Sequence, residues 1–224
     1  MVLLGALGSG MMLLALVLNC AACREDGRNP KAEHKKICFP FSISGTPLIA
    51  ENIVKYDGTF LEDDSGRELR EAAAIMLCNT GKSGIQQAEV EIFQGERRLV
   101  FHVTQIPPQA SVLVLEMSGQ CFGGEELTGC SGWAQKGQSG WDTERYIRTE
   151  DVAMGSVEIT NITDSALRNI NIYYKTVYEE GGFYLGGITY SVKINYLSPG
   201  QTTRISPEHY ACGSSSILRI EFEE

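Results

Sequence analysis

The chain has 224 residues, 43% hydrophobic and 21% charged, a composition that predicts one or two globular domains rather than a disordered chain. Its formal net charge of −9 argues against a nucleic-acid-binding surface, because phosphate binding needs clustered lysine and arginine. Frequent glycine and ordinary aromatic content favour short strands joined by turns over a helical bundle.

Residues 1–23 contain no Lys, Arg, Asp or Glu, and as a helix they would span about 34 Å, enough to cross a bilayer. We predict a transmembrane or signal segment here. Four interpretations stay open: an uncleaved anchor, a cleaved signal peptide, a lipoprotein signal with Cys23 as the lipidated residue, and an anchor of reversed topology. A secretory signal normally begins with positive charge, which is missing, and Cys20 stands where the lipoprotein motif prefers Leu.

The second half of the chain has the pattern of β-strands. In ITYSVKINY apolar and polar residues alternate, a period of two that places one face on a core. The apolar residues are Ile188, Tyr190, Val192, Ile194 and Tyr196. NINIYYKT alternates in the same way, and the glycines of EEGGFYLGG predict a wide hairpin loop between the two strands.

The first half can be aligned with this pattern, which predicts a tandem repeat. LVFHVTQIPPQASVLV matches YSVKINYLSPGQTTRI, and the offset that sets Pro108 on Pro199 also sets Cys121 on Cys212. In the second copy the Pro-Gly pair predicts a type II turn, because Gly accepts a positive φ. The first copy has Gln109 in the position of the glycine, which predicts a type I turn.

The stretch SGRELREAAAIML, residues 65–77, has two interpretations. Ser65 followed by Glu68 resembles a capping box and would begin a helix. The repeat instead requires EAAAIMLCN to be a strand equivalent to MGSVEITN, with Asn79 corresponding to Asn161. We adopt the strand.

We therefore predict an all-β chain with two tandem small immunoglobulin-like β-sandwich domains behind the N-terminal transmembrane or signal segment. Parallel α/β folds are disfavoured, since they need a helical crossover between strands. The predicted organisation is a membrane segment at 1–23, a polar linker at 24–42, repeat one at 43–122, a connector at 123–153 and repeat two at 154–224.

The sequences VEITNITDSALRNINIYYK, YLGGITYSVKINYLSPGQTTRI and HYACGSSSILRI resemble FxLYD-like β-sandwich modules of Gram-positive envelope proteins, and tandem, membrane-anchored Firmicutes proteins that are uncharacterised. The matching positions are Asn161, Leu167, Leu197, Pro199 and Gly200, with Asn79, Ile85, Ile106 and Pro108 in repeat one. The resemblance covers about two thirds of the chain and implies the fold, but such modules share no activity.

Outside the apolar segment, Cys121 and Cys130 form a candidate disulfide over FGGEELTG if the compartment is oxidising; free or buried thiols are the alternative. No cysteine and histidine spacing typical of zinc occurs beyond that segment, so we predict no metal and no cofactor. His209 with the serines of GSSS is a candidate base and nucleophile, but no G-x-S-x-G elbow is present. We predict no catalytic residues and no enzyme activity.

The stretch GCSGWAQKGQSGW holds both tryptophans in near-copies, and it is interpreted either as a ligand-binding repeat or as a connector. In the connector interpretation, Trp133 or Trp141 fills the junction between the two sandwiches. Phe183 and Tyr184, at the tip of the long hairpin, are further candidates for an exposed interaction surface.

The function expected from these patterns is a non-catalytic, membrane-anchored envelope protein whose tandem sandwiches present an interaction surface outside the cytoplasm. A carbohydrate-binding or substrate-capturing accessory module is the first alternative, and it predicts that Trp133, Trp141, Phe183 and Tyr184 are exposed together. A hydrolase is the second alternative. The expected partners are the membrane, through the N-terminal segment, and a protein or a glycan, but no nucleic acid.

Overall fold

The computed structural model describes residues 36–60, 65–124, 126–137, 139–152, 155–178 and 183–223. Within these residues the chain is all-β, as predicted, with fourteen strands, one single-turn 3-10 helix at Thr143–Arg145 and no α-helix. The segment 1–23 with Cys23 lies outside the described residues, as does most of the predicted linker. In the part of the chain that is described, no helix has the length and apolar character needed to cross a bilayer.

The strands are numbered in chain order. They are β1 Phe41–Ser42, β2 Leu48–Thr59, β3 Glu68–Asn79, β4 Ile85–Gln94, β5 Arg97–Ile106, β6 Ser111–Leu115, β7 Gly129–Lys136, β8 Ile147–Val152, β9 Ser156–Asn161, β10 Leu167–Tyr178, β11 Phe183–Leu185, β12 Tyr190–Leu197, β13 Thr202–Ile205 and β14 Ser215–Glu223.

These strands form three sheets. The largest has the order β1-β2-β3-β6-β11-β10-β12, and β14 also pairs with β10. The two others are three-stranded, β13-β9-β8 and β5-β4-β7. The pairs are antiparallel except for β11 with β6, which run parallel.

The same pairing order occurs twice along the chain. In the first half β3 lies between β2 and β6, and β4 lies between β5 and β7. In the second half β9 lies between β8 and β13, and β10 lies between β12 and β14. Each half has its own cluster of buried apolar residues contributed by both of its strand sets, which is the layering of a β-sandwich.

The stretch with two interpretations, EAAAIML, is a strand and not a helix. It is the central part of β3, where Ala73 and Ile75 face the core of the first half while Ala72 and Ala74 face a second apolar cluster with Phe60. A strand that is buried on both faces is apolar at every position, so it lacks the alternation that identifies a half-exposed strand.

The segment predicted as a connector, residues 123–153, contains two strands of the sheets. β7 pairs with β4 along its whole length, and β8 pairs with β9. The sequence hides them for different reasons. β7 has Gly132 where an inward apolar side chain is expected, and β8 is exposed at residues 148–151.

The described end of the predicted linker is packed against the first half of the chain. Ile37, Phe39 and Phe41 are half-buried against its core, and the Ile37 N–H donates to the Leu127 carbonyl at 3.0 Å. Apolar side chains spaced by two explain this packing, since they lie on one face of an extended segment.

Two buried asparagines hold corresponding places in the two halves. Asn79 Nδ2 donates to the carbonyls of Ser83 and Pro107, both at 3.0 Å. Asn161 Nδ2 donates to the carbonyl of Ser165 at 2.8 Å, again four residues further on, and to the carbonyl of Leu197 at 3.0 Å, one residue before the position that corresponds to Pro107. Each amide therefore joins the end of one strand to the start of the next and to the turn between two others.

The turns that follow β5 and β12 are alike in one respect that the sequence did not predict. Gly200 has φ +71° and the Gln201 N–H donates to the Ser198 carbonyl at 3.0 Å, as a type II turn requires. Gln109 has φ +54°, which is incompatible with the predicted type I turn. Gln109 thus takes the left-handed conformation that glycine takes in the other copy.

We expect Asn79→Ala and Asn161→Ala each to lower the free energy of unfolding by about 3 kcal/mol, because two carbonyls lose their buried donor. Equilibrium denaturation followed by circular dichroism measures this. Asn195→Ala, at an exposed position of β12, is the control and should change stability by less than about 0.5 kcal/mol. Equal effects at all three positions would contradict the role assigned to the buried amides.

We expect Gln109→Gly to raise the free energy of unfolding by about 0.5 to 1 kcal/mol, since glycine removes the cost of a positive φ but adds freedom to the unfolded chain. Gly200→Ala should lower it by about 1 kcal/mol, because no atom lies within 4 Å of the new Cβ and only the backbone strain remains. Thermal denaturation of both variants compares the two turns directly.

Candidate functional site

Three side chains from neighbouring strands lie in one row on the outer face of sheet β5-β4-β7. His102 and Trp133 are the cross-strand partners of Glu89 on its two sides, so all three point to the same face. This face is directed to solvent, because the alternate residues Ala88 and Val90 are fully buried and Trp133 is 44% exposed. We call His102, Glu89 and Trp133 the central row.

Polar rows lie on both sides of the central row. On one side Gln87 Nε2 donates to Gln135 Oε1 at 3.1 Å. On the other side Glu91 accepts a hydrogen bond from Ser131 Oγ at 3.2 Å and pairs with Arg98 at 3.3 Å. The central row differs, because its side chains form no hydrogen bond or ion pair with any residue that the structure describes. Its donors and acceptors are therefore available to a ligand.

Gly132 explains how β7 brings Trp133 to this face. A Cβ at Gly132 would lie 2.7 Å from the Glu89 carbonyl oxygen and 2.9 Å from Ile43 Cγ2. The inward position of β7 must therefore be glycine for the strand to approach the core. The next side chain, Trp133, then points outward by the alternation of the strand.

The outer face continues into a cavity of about 380 Å³ at the end of β5. Tyr173 of β10 and the segment that follows β11 form its far side, and His102 lines it from the central row. Thr104 Oγ1 donates to the Gly187 carbonyl at 2.6 Å and lies 2.8 Å from Thr189 Oγ1. These bonds fix the cavity wall to the strand that carries His102.

The buried guanidinium of Arg219 lies against the ring of Tyr173. Arg219 is 2% exposed, its Nε donates to the Ser139 carbonyl at 3.0 Å, and its Nη1 donates to Gln105 Oε1 at 3.2 Å. Its guanidinium carbon lies 5.0 Å from the Tyr173 ring centre and 5.8 Å from that of Trp141. Burial lowers the pKa of Arg219, and Tyr173 partly raises it.

Trp141 lies at the junction between the two halves of the chain. Its ring occupies the space next to Gly84, where an added Cβ would overlap the indole. The Gly137 N–H donates to the Gly84 carbonyl at 2.7 Å, and the Gly140 carbonyl accepts from the Ile220 N–H at 3.0 Å. The segment around Trp141 thus joins β4 of the first half to β14 of the second.

Phe183 and Tyr184 belong to β11 and do not join the central row. Both are half-buried, and Tyr184 pairs with Val112 of β6 and packs against the core of the first half. Leu185, which follows them, is buried. The four aromatic candidates are thus not exposed together, contrary to the prediction of the carbohydrate-binding alternative: Trp133 is exposed on the outer face, Trp141 fills the junction, and Phe183 and Tyr184 are half-buried in β11.

Cys121 and Cys130 are free thiols, so the structure does not contain the candidate disulfide between them. The two residues lie in different sheets: Cys121 bridges to Ala72 of β3, and Cys130 pairs with Ile92 of β4. Burial raises the pKa of the Cys130 thiol to about 11, which keeps it protonated and unreactive at neutral pH.

The residues of the hydrolase alternative make separate contacts. The His209 ring stacks on Tyr190 with 4.6 Å between ring centres, and Ser215 Oγ accepts a hydrogen bond from the Ala211 N–H at 2.9 Å. These contacts orient the imidazole and the hydroxyl toward other groups. The imidazole thus packs on an aromatic ring, and the Ser215 hydroxyl is bonded to the backbone of its own loop.

A second cavity, of about 630 Å³, lies beside this loop. Tyr210 Oη donates to Asp151 Oδ1 and the Gly213 N–H donates to Oδ2, both at 2.6 Å. Burial, with a smaller effect of Asp151, raises the pKa of Tyr210. Both oxygens of the carboxylate are engaged in tying β8 to the loop. Across the described residues no group of three or more potential ligands is placed to bind a metal ion.

No protein-family model matches the sequence, and no curated protein is significantly similar to it.

The sequence indicates Trp133 as a candidate but not the two residues beside it in the central row. His102 and Glu89 both occupy polar positions of alternating strands, which is the only signal that the sequence contains for them. Their common row depends on the pairing of β7 with β4, and β7 was predicted to be part of a connector.

We expect Gly84→Ala to lower the free energy of unfolding by about 2 kcal/mol, because the new methyl group would displace the Trp141 ring. Trp141→Ala should cost about as much by leaving a cavity at the junction. The double variant should lose less than the sum of the two, since the methyl group enters the vacated space. Denaturant titration of all four proteins measures the coupling, and additive losses would contradict the contact.

Proposed function

We propose that this chain is a non-catalytic, membrane-anchored envelope protein, in which two tandem immunoglobulin-like β-sandwich domains present the face of β5-β4-β7 outside the cytoplasm for noncovalent binding. The observation that carries the proposal is the central row. An exposed tryptophan beside a carboxylate and an imidazole that bond to no described residue is typical of a recognition site.

Several observations support the division into two tandem domains. The strand pairing order is repeated, and Asn79 and Asn161 each donate to the carbonyl four residues further along the chain. The Cys121 thiol donates to the Arg70 carbonyl in the strand pair β2-β3, and the Cys212 thiol donates to the Val152 carbonyl in the corresponding pair β8-β9. The resemblance to FxLYD-like modules of Gram-positive envelope proteins points the same way.

The membrane attachment is supported by the first 23 residues. They carry no charged side chain and are long enough, at about 1.5 Å per residue, to cross the hydrocarbon core as a helix.

A binding role is also favoured over a hydrolytic one by the state of the polar groups. The central row lies on an open sheet face, and among the described residues no hydrogen bond joins its imidazole to a hydroxyl or carboxylate that could act as a nucleophile. Such a face is suited to holding an extended ligand by its surface.

Co-sedimentation with isolated cell-envelope fragments of a Gram-positive bacterium tests the proposal. The full chain is used, in a detergent without a sugar headgroup. We expect binding to weaken about tenfold in Trp133→Ala. The matched control is Tyr196→Ala, which removes a side chain of similar exposure, 47%, from β12. Absence of binding, or an equal loss in both variants, would overturn the proposed function.

A further inference from the structure

We propose that the ligand of the central row is an uncharged oligosaccharide, which lies across β7, β4 and β5 from Trp133 to the cavity beside Tyr173. This inference rests on the proposed function and names the class of molecule bound. It does not need Trp141, Phe183 and Tyr184 to be exposed with Trp133, because it rests on Trp133, the polar groups around it and the cavity beside Tyr173.

The first argument is the stacking surface. Trp133 presents its indole on a sheet face, with 44% of the residue exposed and no aromatic neighbour covering it in the described part of the chain. A pyranose ring has a flat apolar C–H face that can cover such an indole, while its hydroxyls stay at the rim. A flat ring on a flat sheet needs no pocket.

The second argument is the set of polar groups around the indole. Glu89 provides acceptors, His102 provides one donor and one acceptor when neutral, and the amides of Gln87 and Gln135 provide both. Sugar hydroxyls donate and accept, so this mixture satisfies them without any ligand charge. The polar groups lie on the same sheet face as the tryptophan, on its own strand β7 and on the next two strands, β4 and β5.

The third argument is length. From Trp133 to His102 the row crosses two strand spacings, about 10 Å. Beyond His102 the cavity of about 380 Å³ extends the face toward Tyr173. The Tyr173 hydroxyl donates to Glu221 at 2.7 Å, so its ring is held in a fixed orientation at the far end. The site therefore has room for more than one sugar ring, with an aromatic group near each end.

Charge decides which saccharides fit. Glu89 has no basic partner among the described residues, and Glu91 is paired with Arg98. The chain as a whole carries a formal charge of −9. A polyanionic glycan would be repelled by this face, whereas an uncharged glycan is not.

The test uses the full chain with Trp141→Phe, which leaves Trp133 as the only tryptophan. Fluorescence titrations with chito-, cello-, manno- and malto-oligosaccharides should show an emission change with at least one of them. Heparin, a polyanion, should produce none. Calorimetric titrations measure the affinities of the variants. Trp133→Ala should weaken binding about tenfold and Glu89→Gln several-fold, whereas Tyr196→Ala should bind within about twofold of the parent.

The failure of this inference is distinguishable from that of the proposed function. If none of the four oligosaccharides binds, or if binding is unchanged in Trp133→Ala, the saccharide assignment is overturned. If protease treatment of the envelope fragments then abolishes Trp133-dependent sedimentation, the ligand is a protein and the proposed function stands. If sedimentation never depended on Trp133, both are overturned.

Discussion

The outer edge of β6 is the constraint on which the arrangement of the described chain depends. Residues 112–115 of this strand are all buried, and without a neighbour its N–H and C=O groups would be buried without partners. β11, from the long hairpin of the second half, pairs with it, and the Gly186 N–H donates to the Leu113 carbonyl at 2.5 Å. In the second half the strand that corresponds to β6 is β13, TTRI. It is short and partly exposed, so water can hydrogen-bond to the backbone groups at its outer edge.

The site follows from this edge pairing. Because β11 is held on β6, the chain that leaves it must cross the end of β5, where Thr104 fixes it through Gly187 and Thr189. Gly186 has to be glycine, since a Cβ there would lie 2.7 Å from Val114 Cα. The crossing closes one side of the cavity next to the outer face. A hairpin that satisfies a backbone edge in one place thus shapes a candidate binding surface in another.

The sequence predicted those parts of the fold in which local pattern and final environment agree. β4, β5, β10 and β12 each have one face on a core, so their alternation is visible. β2 was missed because a register shift after Ala50 places Ala50 and Ile53, which share one core, three residues apart, while Tyr56 belongs to the apolar cluster on the other face of the strand. Gln109 was misassigned because its positive φ is imposed by the turn geometry, which a glutamine does not signal.

The near-copies GCSGWAQ and GQSGWDT show why the candidate site needed the structure. In the first, Gly132 lies inward against Ile43 and the following tryptophan is exposed. In the second, Gly140 has φ +97° and its neighbour Trp141 turns into the junction between the halves. The same Gly-Trp pair thus produces a surface residue or a packing residue, depending on the partner strand. The local sequence is nearly the same at both tryptophans, but strand pairing decides whether water or protein covers the indole ring. The covered ring of Trp141 is not accessible to a ligand, whereas the exposed ring of Trp133 is.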